Sequence, residues 1–346
     1  MKRKSWLFSY LVILAIAVLI AIVVKFVLPG VLKHKILEGV RESCPDCVAY
    51  FQKVDISLAH PGLLVFHDVR FTAGQGGRSL VEARAKELSV DISFSKSSLL
   101  GSSQHRLEIQ NVSGEGVEVI YADGDAPEEK KLSPESSDKM LFAIHETKMN
   151  DALFRYVHTK KKVTSILHIH DIDGTLGLVG NTPEALDTVS TARLTGQIEK
   201  SGRGELHVAA LLRPGPWHVD VALDIADQNL SDLNGFFSKS DGVELQGHML
   251  KASAQIVVRD EVSKAHVSAV YKDADYKENV TKDRSAIEAT FSNLGAQLIM
   301  TKSNVDFPPE KQAADVEVKR DAGEPLVHYL LRSAKLGLLE VTKTKK

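Results

Sequence analysis

Trp217-His218-Val219-Asp220-Val221-Ala222-Leu223-Asp224-Ile225 decides the fold. In an extended chain Trp217, Val219, Val221, Leu223 and Ile225 fall on one side, and His218, Asp220 and Asp224 on the other. Successive side chains of a strand point to opposite faces, so this period of two marks a half-buried strand. Residues 88–94, 206–212 and 250–258 repeat the pattern. Val90, Ile92, Phe94, Leu250 and Ile256 then join Val219, Val221 and Leu223 as candidates for one large apolar face.

Outward from that stretch, strand-like segments recur from residue 51 to residue 300, separated by turn chemistry such as Ala73-Gly74-Gln75-Gly76-Gly77 and Ser113-Gly114-Glu115-Gly116. Residues 140–156 fit a helix or a strand. A loose echo favours strand: Val65-Phe66-His67-Asp68-Val69, Leu107-Glu108-Ile109-Gln110-Asn111-Val112 and Ile169-His170-Asp171-Ile172 each break an apolar alternation at Asp or Asn. Residues 123–139, rich in Gly, Pro, Ser and charge, read as a mobile loop or a linker between two groups of strands. Residues 229–238 form a short apolar turn or helix. Phe307-Pro308-Pro309 reads as the end of the strands, and Pro325 opens a C-terminal helix followed by a basic tail.

The N-terminus gives the compartment. Lys2-Arg3-Lys4 precedes an apolar run over residues 6–28, about the 20 residues that a spanning helix needs. No small-residue cleavage site follows it, so an uncleaved anchor is expected, with the basic cluster cytoplasmic and the bulk of the chain across the membrane. The expected organisation is an anchor over 1–30, a linking helix over 31–48 and a β domain over 49–307. A linker, helix and tail fill 308–346. Cys44-Pro45-Asp46-Cys47 holds the only two cysteines. A structural disulfide between Cys44 and Cys47 is favoured over a redox pair, which lacks a βαβ context, and over zinc, which lacks further ligands.

Composition removes several functions. Net charge is −2 and aromatic content 6%, which argues against a nucleic-acid partner. His168-Ile169-His170 puts two imidazoles on one side of a strand, but the other ligands of a metallohydrolase are missing, so the solvated face of an amphipathic strand is the simpler reading. No phosphate loop, nucleophile elbow or HExxH pattern occurs, so no catalytic residue, metal or cofactor is assigned. Asn111, Asn229 and Asn279 head glycosylation-type triplets that mean little outside a eukaryotic secretory route.

The segments "VDISLAHPGLLVFHDVRF" (54–71), "ARAKELSVDISFSKSSLL" (83–100) and "LSDLNGFFSKSDGVELQGHMLKASAQI" (230–256) carry a resemblance. Preceded by a basic cluster and one anchor, this order resembles the AsmA-like proteins, in particular the DUF748-containing group, over most of residues 5–275. The chain is short for that family, and its cysteine pair lies outside the pattern. The resemblance implies a bacterial inner-membrane anchor, a periplasmic body similar to the repeating β-groove lipid-transfer proteins, and a role in moving phospholipid for envelope maintenance. Its motifs are structural and transfer no active site.

The expected architecture is therefore mainly β: a curled antiparallel sheet with an N-terminal transmembrane helix and short flanking helices. Ten or more one-sided strands carry well over about 1,000 Å² of apolar surface, which must be covered. Either a taco-like groove holds membrane phospholipids, or a closed sandwich scaffolds envelope partners or self-association.

Overall fold

The computed structural model describes residues 28–43, 47–57, 60, 62–74, 79–93, 106–124, 141–160, 163–213, 217–240, 242–278, 302–305, 312–321, 324 and 326–342. Its strands are β1 (Val48–Tyr50), β2 (Lys53–Ile56), β3 (Leu63–Ala73), β4 (Ser79–Ser93), β5 (Arg106–Glu115), β6 (Glu118–Gly124), β7 (Leu141–Lys160) and β8 (Val163–Leu176). There follow β9 (Val179–Gly180), β10 (Val189–Ile198), β11 (Gly202–Leu211), β12 (Trp217–Asn229), β13 (Val243–Asp260), β14 (Val262–Glu278) and β15 (Ala313–Lys319). The helices are α1 (Leu28–Ser43), α2 (Pro183–Asp187), α3 (Asn234–Ser240) and α4 (Leu326–Thr342), with a 3-10 turn, Leu230–Leu233, before α3.

All these strands form one 15-stranded sheet in the order β1-β3-β4-β5-β7-β8-β10-β11-β12-β13-β14-β15. β2 follows β1 along β3, β6 continues β5 between β4 and β7, and β9 lies on β7. Residues 141–160 are strand, as the echo suggested. The sheet is mixed rather than purely antiparallel, because β5 and β6 run parallel to β7, from Arg106 against Leu141 to Gly124 against Thr159. Period-two alternation is blind to strand direction. A parallel pair needs a crossover of about a dozen residues, and the chain between Gly124 and Leu141 has that length. Residues 125–139 of the expected loop lie outside the described residues, as do the strands expected at 287–291 and 296–300.

The sequence echo has a backbone cause in two of its three segments, at Asp68 and Asp171, whereas Asn111 has no positive φ. Asp68, Asp151, Asp171, Asp227 and Asp273 all sit inside strands with φ between 50° and 57°. Asp tolerates this left-handed region better than most residues because its short side chain can hydrogen-bond locally. Asp68 stands opposite Lys86, which neighbours Gly116 (φ 60°). Gly116 is level with Asp151 between the pairs Glu115–Asn150 and Glu118–Leu153. Register shifts then mark Asp151 and Asp171 on β7 and β8, and Asp273 on β14. Such bulges bend a strand and sharpen its twist. Their alignment makes a diagonal crease, and the long strands curl along it.

Three stretches of one face are covered by helices. α1 lays Ile36 and Leu37 on Phe51, Val54, Leu64, Phe66 and Val90. It begins at Leu28, inside the stretch assigned to the anchor. α3 brings Phe236 onto Tyr121 and Tyr156. α4 covers β14 and β15 through Tyr329, Ser333, Gly337 and Val341, spaced four apart on one side. Gly337 is required there: a Cβ would stand 2.3 Å from Cγ2 of Val267. The strands do not end at Phe307, since β15 pairs with β14 beyond the prolines. The proline pair signals a break in the chain, not the end of the sheet. The five-residue helix α2 is capped by Thr182, whose Oγ1 accepts from the Ala185 N–H.

Glu324, 6% exposed, pins the start of α4. Arg332 donates to it at 2.6 and 2.8 Å, the Asp321 N–H donates at 3.1 Å, and His328 Nδ1 lies at 2.8 Å. Burial pushes this carboxyl up, but those partners outweigh it and hold it at about 2, below the ordinary 4.5. A depressed carboxylate stabilises the fold fully above its unfolded value and loses that contribution as pH falls toward its folded one. The stabilisation is at most about 3 kcal/mol, present above pH 4.5 and lost toward pH 2. Glu324→Gln is expected to flatten the acid limb of thermal stability between pH 5 and 2 in circular-dichroism melts. Unchanged acid sensitivity would refute this role.

Candidate functional site: the apolar inner face

Register places the apolar residues in rows that cross the strands. One row reads Ile56, Leu64, Val90, Val112, Thr147, Leu176, Ala192, Val208, Val221, Ile256, Ala265 and Val316, each paired with the next. The next row reads Val54, Phe66, Leu88, Gly114, Met149, Gly174, Leu194, Leu206, Leu223, Ala254, Val267 and Ala314. Only Thr147 is polar among these residues. Between them, on the opposite side, runs Ser89, Ser113, Lys148, Thr175, Arg193, His207, Ala222, Gln255, His266 and Asp315. One face of the sheet is thus apolar from edge to edge along these rows, and the other is mostly polar, with Val65, Val189 and Val257 among its exceptions.

Each apolar row crosses twelve strands, about 50 Å along the curled sheet at the usual strand spacing. Burial along it is uneven. Leu64, Phe66 and Val90 are buried near α1, and Ala254, Ile256, Ala265 and Val267 near α4. Between them Met149, Leu176, Leu194, Leu206, Val208, Val221 and Leu223 are only half-buried. Each hydrophobic cluster joins neighbouring strands to a helix or to one another, and none joins two stretches of the sheet face to face among the described residues. The two edges, β1 with β2 and β15, do not pair with each other. The floor is therefore an apolar strip bounded by α1 and α4. Beyond the crease it runs under α3, where Tyr156 Oη donates to Asp123 at 2.9 Å and His158 Nδ1 lies 2.6 Å from the same carboxylate.

The singled-out residues split into two groups. Val90 and Ile92 belong to the cluster under α1. Val219 and Ile256 are core residues beside Tyr329 of α4, with Val221 and Leu223 at its half-buried margin. Leu250 lies at a register shift, where Met249 rather than Leu250 takes the buried place opposite Tyr271. Phe94 lies outside the described residues. The middle of the strip is built by Met149, Leu176, Leu194, Leu206 and Val208, which the sequence reading did not single out. Apolar alternation at 206–212 was a signal for two of them.

The remaining candidates are placed as follows. His168 and His170 stack with ring centroids 5.7 Å apart, and His168 Nδ1 is 3.4 Å from Glu199. Among the described residues no three His, Cys, Asp or Glu side chains gather as metal ligands. Cys47 is disulfide-bonded; Cys44, the only other cysteine, lies outside the described residues. So do residues 6–27 of the expected anchor, and among the described residues no helix is long and apolar enough to cross a membrane. Neither family models nor curated protein sequences give a match to this chain.

Proposed function

We propose that this protein holds phospholipid acyl chains on the apolar inner face of its curled sheet, without catalysis, as a lipid-binding or lipid-conveying protein of the bacterial envelope. The observation that carries this reading is the half-buried middle of the two apolar rows. A floor of Met149, Leu176, Leu194, Leu206 and Val208 left to water is costly, at roughly 25 cal/mol per Å². An acyl chain supplies cover without a partner of defined shape. The resemblance to AsmA-like proteins supports the same reading. It adds a single-pass inner-membrane anchor at residues 6–28, a cytoplasmic N-terminus and a periplasmic body. A strip of this length does not cross a periplasm, so conveyance requires envelope partners or self-association.

Photocrosslinking tests the reading by parity. A photoreactive residue is placed at Leu194 or Leu206 on the inner face, or at Thr195 or Val189 on the outer, in the full chain expressed in a bacterial envelope. Lipid adducts are expected at Leu194 and Leu206 and not at Thr195 or Val189. Protein adducts without lipid at the inner positions would instead favour a closed scaffold.

A further inference from the structure

The outer face carries a feature that lipid binding does not use. Behind the apolar strip, β8 and β10–β13 form an open concavity of about 690 Å³. Ala209 and Ala222 set its depth, since their neighbours along and across the strands, His207, Asp220 and Gln255, are longer.

The charges in this basin are not evenly matched. Asp220 is held by Arg259, whose Nη1 and Nη2 donate to its two oxygens at 2.6 and 3.0 Å. Arg193 has no carboxylate of its own among the described residues. Its Nε donates to His207 Nδ1 at 3.2 Å, so that nitrogen carries no proton. The His207 Nε2–H then donates to Glu205 at 2.6 Å. The His207 ring, oriented by Glu205, thereby braces the guanidinium through Nε alone. No described residue takes a hydrogen bond from either Nη group, and Thr175 and Thr191 line the same basin.

We propose that Arg193 is the anchor of a binding site for a small phosphate-bearing molecule, held through its two Nη groups. A planar guanidinium fixed at Nε presents those groups as the fork that accepts two phosphate oxygens. His207 and Glu205 are positioning residues, and Thr175 and Thr191 supply hydroxyls for further oxygens. The ligand is a free molecule, because this basin faces away from the strip on which acyl chains would lie.

Calorimetry of the full chain in nonionic detergent tests this, with inorganic phosphate, glycerol 3-phosphate and acetate as probes. Glycerol 3-phosphate is expected to bind more tightly than acetate. Arg193→Gln should weaken it at least about tenfold with no change in melting temperature, the loss of roughly 1.4 kcal/mol or more. His207→Leu keeps the guanidinium but removes its brace, and should weaken binding less than Arg193→Gln does. Ala209→Leu should exclude glycerol 3-phosphate while sparing inorganic phosphate. No saturable binding of either phosphate at tens of millimolar, or unchanged binding by Arg193→Gln, overturns the site. Arg193-dependent capture by phosphatidylglycerol vesicles without binding of free glycerol 3-phosphate overturns the free-ligand assignment. None of these outcomes bears on lipid adducts at Leu194 and Leu206.

Discussion

Tyr329→Ala is expected to cost about 3–5 kcal/mol, the usual range for emptying a large buried aromatic site. Tyr329 is fully buried at the contact between α4 and the last strands, against Val258, Ala265 and Val318. Its hydroxyl donates to the Val318 carbonyl at 2.7 Å and lies 3.1 Å from that of Glu261. Truncation leaves a cavity and removes the donor from buried backbone, two penalties that add. Alongside it Ser263 and Ser333 share a hydrogen bond of 2.7 Å in a fully buried position. The helix approaches that closely only because Ser333 and Gly337 are small. Tyr329→Phe separates the terms: it keeps the ring and should lose only about 1 kcal/mol. Denaturant unfolding of both variants is the measurement, with amide exchange on β14 and β15 to locate the loss. Equal, small losses from both would show that α4 does not clamp these strands.

The fold was legible wherever one strand carried its own signal. Trp217–Ile225 announces β12 without help, and the Leu and Tyr spacing after Pro325 announces α4. Strand direction was not legible, because β5, β6 and β7 alternate identically whether their neighbours are parallel or antiparallel. The echo at Asp68 and Asp171 was visible as a pattern. Its meaning, a left-handed residue bending each strand, needed backbone angles. β15 alternates plainly over Ala314, Val316 and Val318, yet the preceding prolines outweighed that signal. The candidate site was least legible of all. Met149, Leu176 and Leu194 are each isolated among polar neighbours along the chain. They become a surface only across it, when register joins one or two residues from every strand.

Leu206→Glu is expected to remove phospholipid from the purified protein almost completely. Leu206 lies between Leu194 and Leu223 in the half-buried middle of the strip, where an acyl chain would rest directly on it. In an empty groove the added carboxylate reaches water, so the fold tolerates it. Beneath an acyl chain it is desolvated, and a charge surrounded by hydrocarbon costs about 2.5–3.5 kcal/mol by membrane-insertion scales. That is roughly a hundredfold in affinity. Val189→Glu on the exposed outer face adds the same charge to a neighbouring strand and should retain lipid at the wild-type level. The comparison is read by native mass spectrometry and by lipid extraction, with equal melting temperatures required of both variants. Because net charge changes identically, any difference belongs to the face of the sheet and not to general electrostatics. Equal retention by both variants would place the lipid elsewhere and leave the apolar rows as uncovered scaffold. Loss in Leu206→Glu alone would identify them as the surface on which the lipid lies.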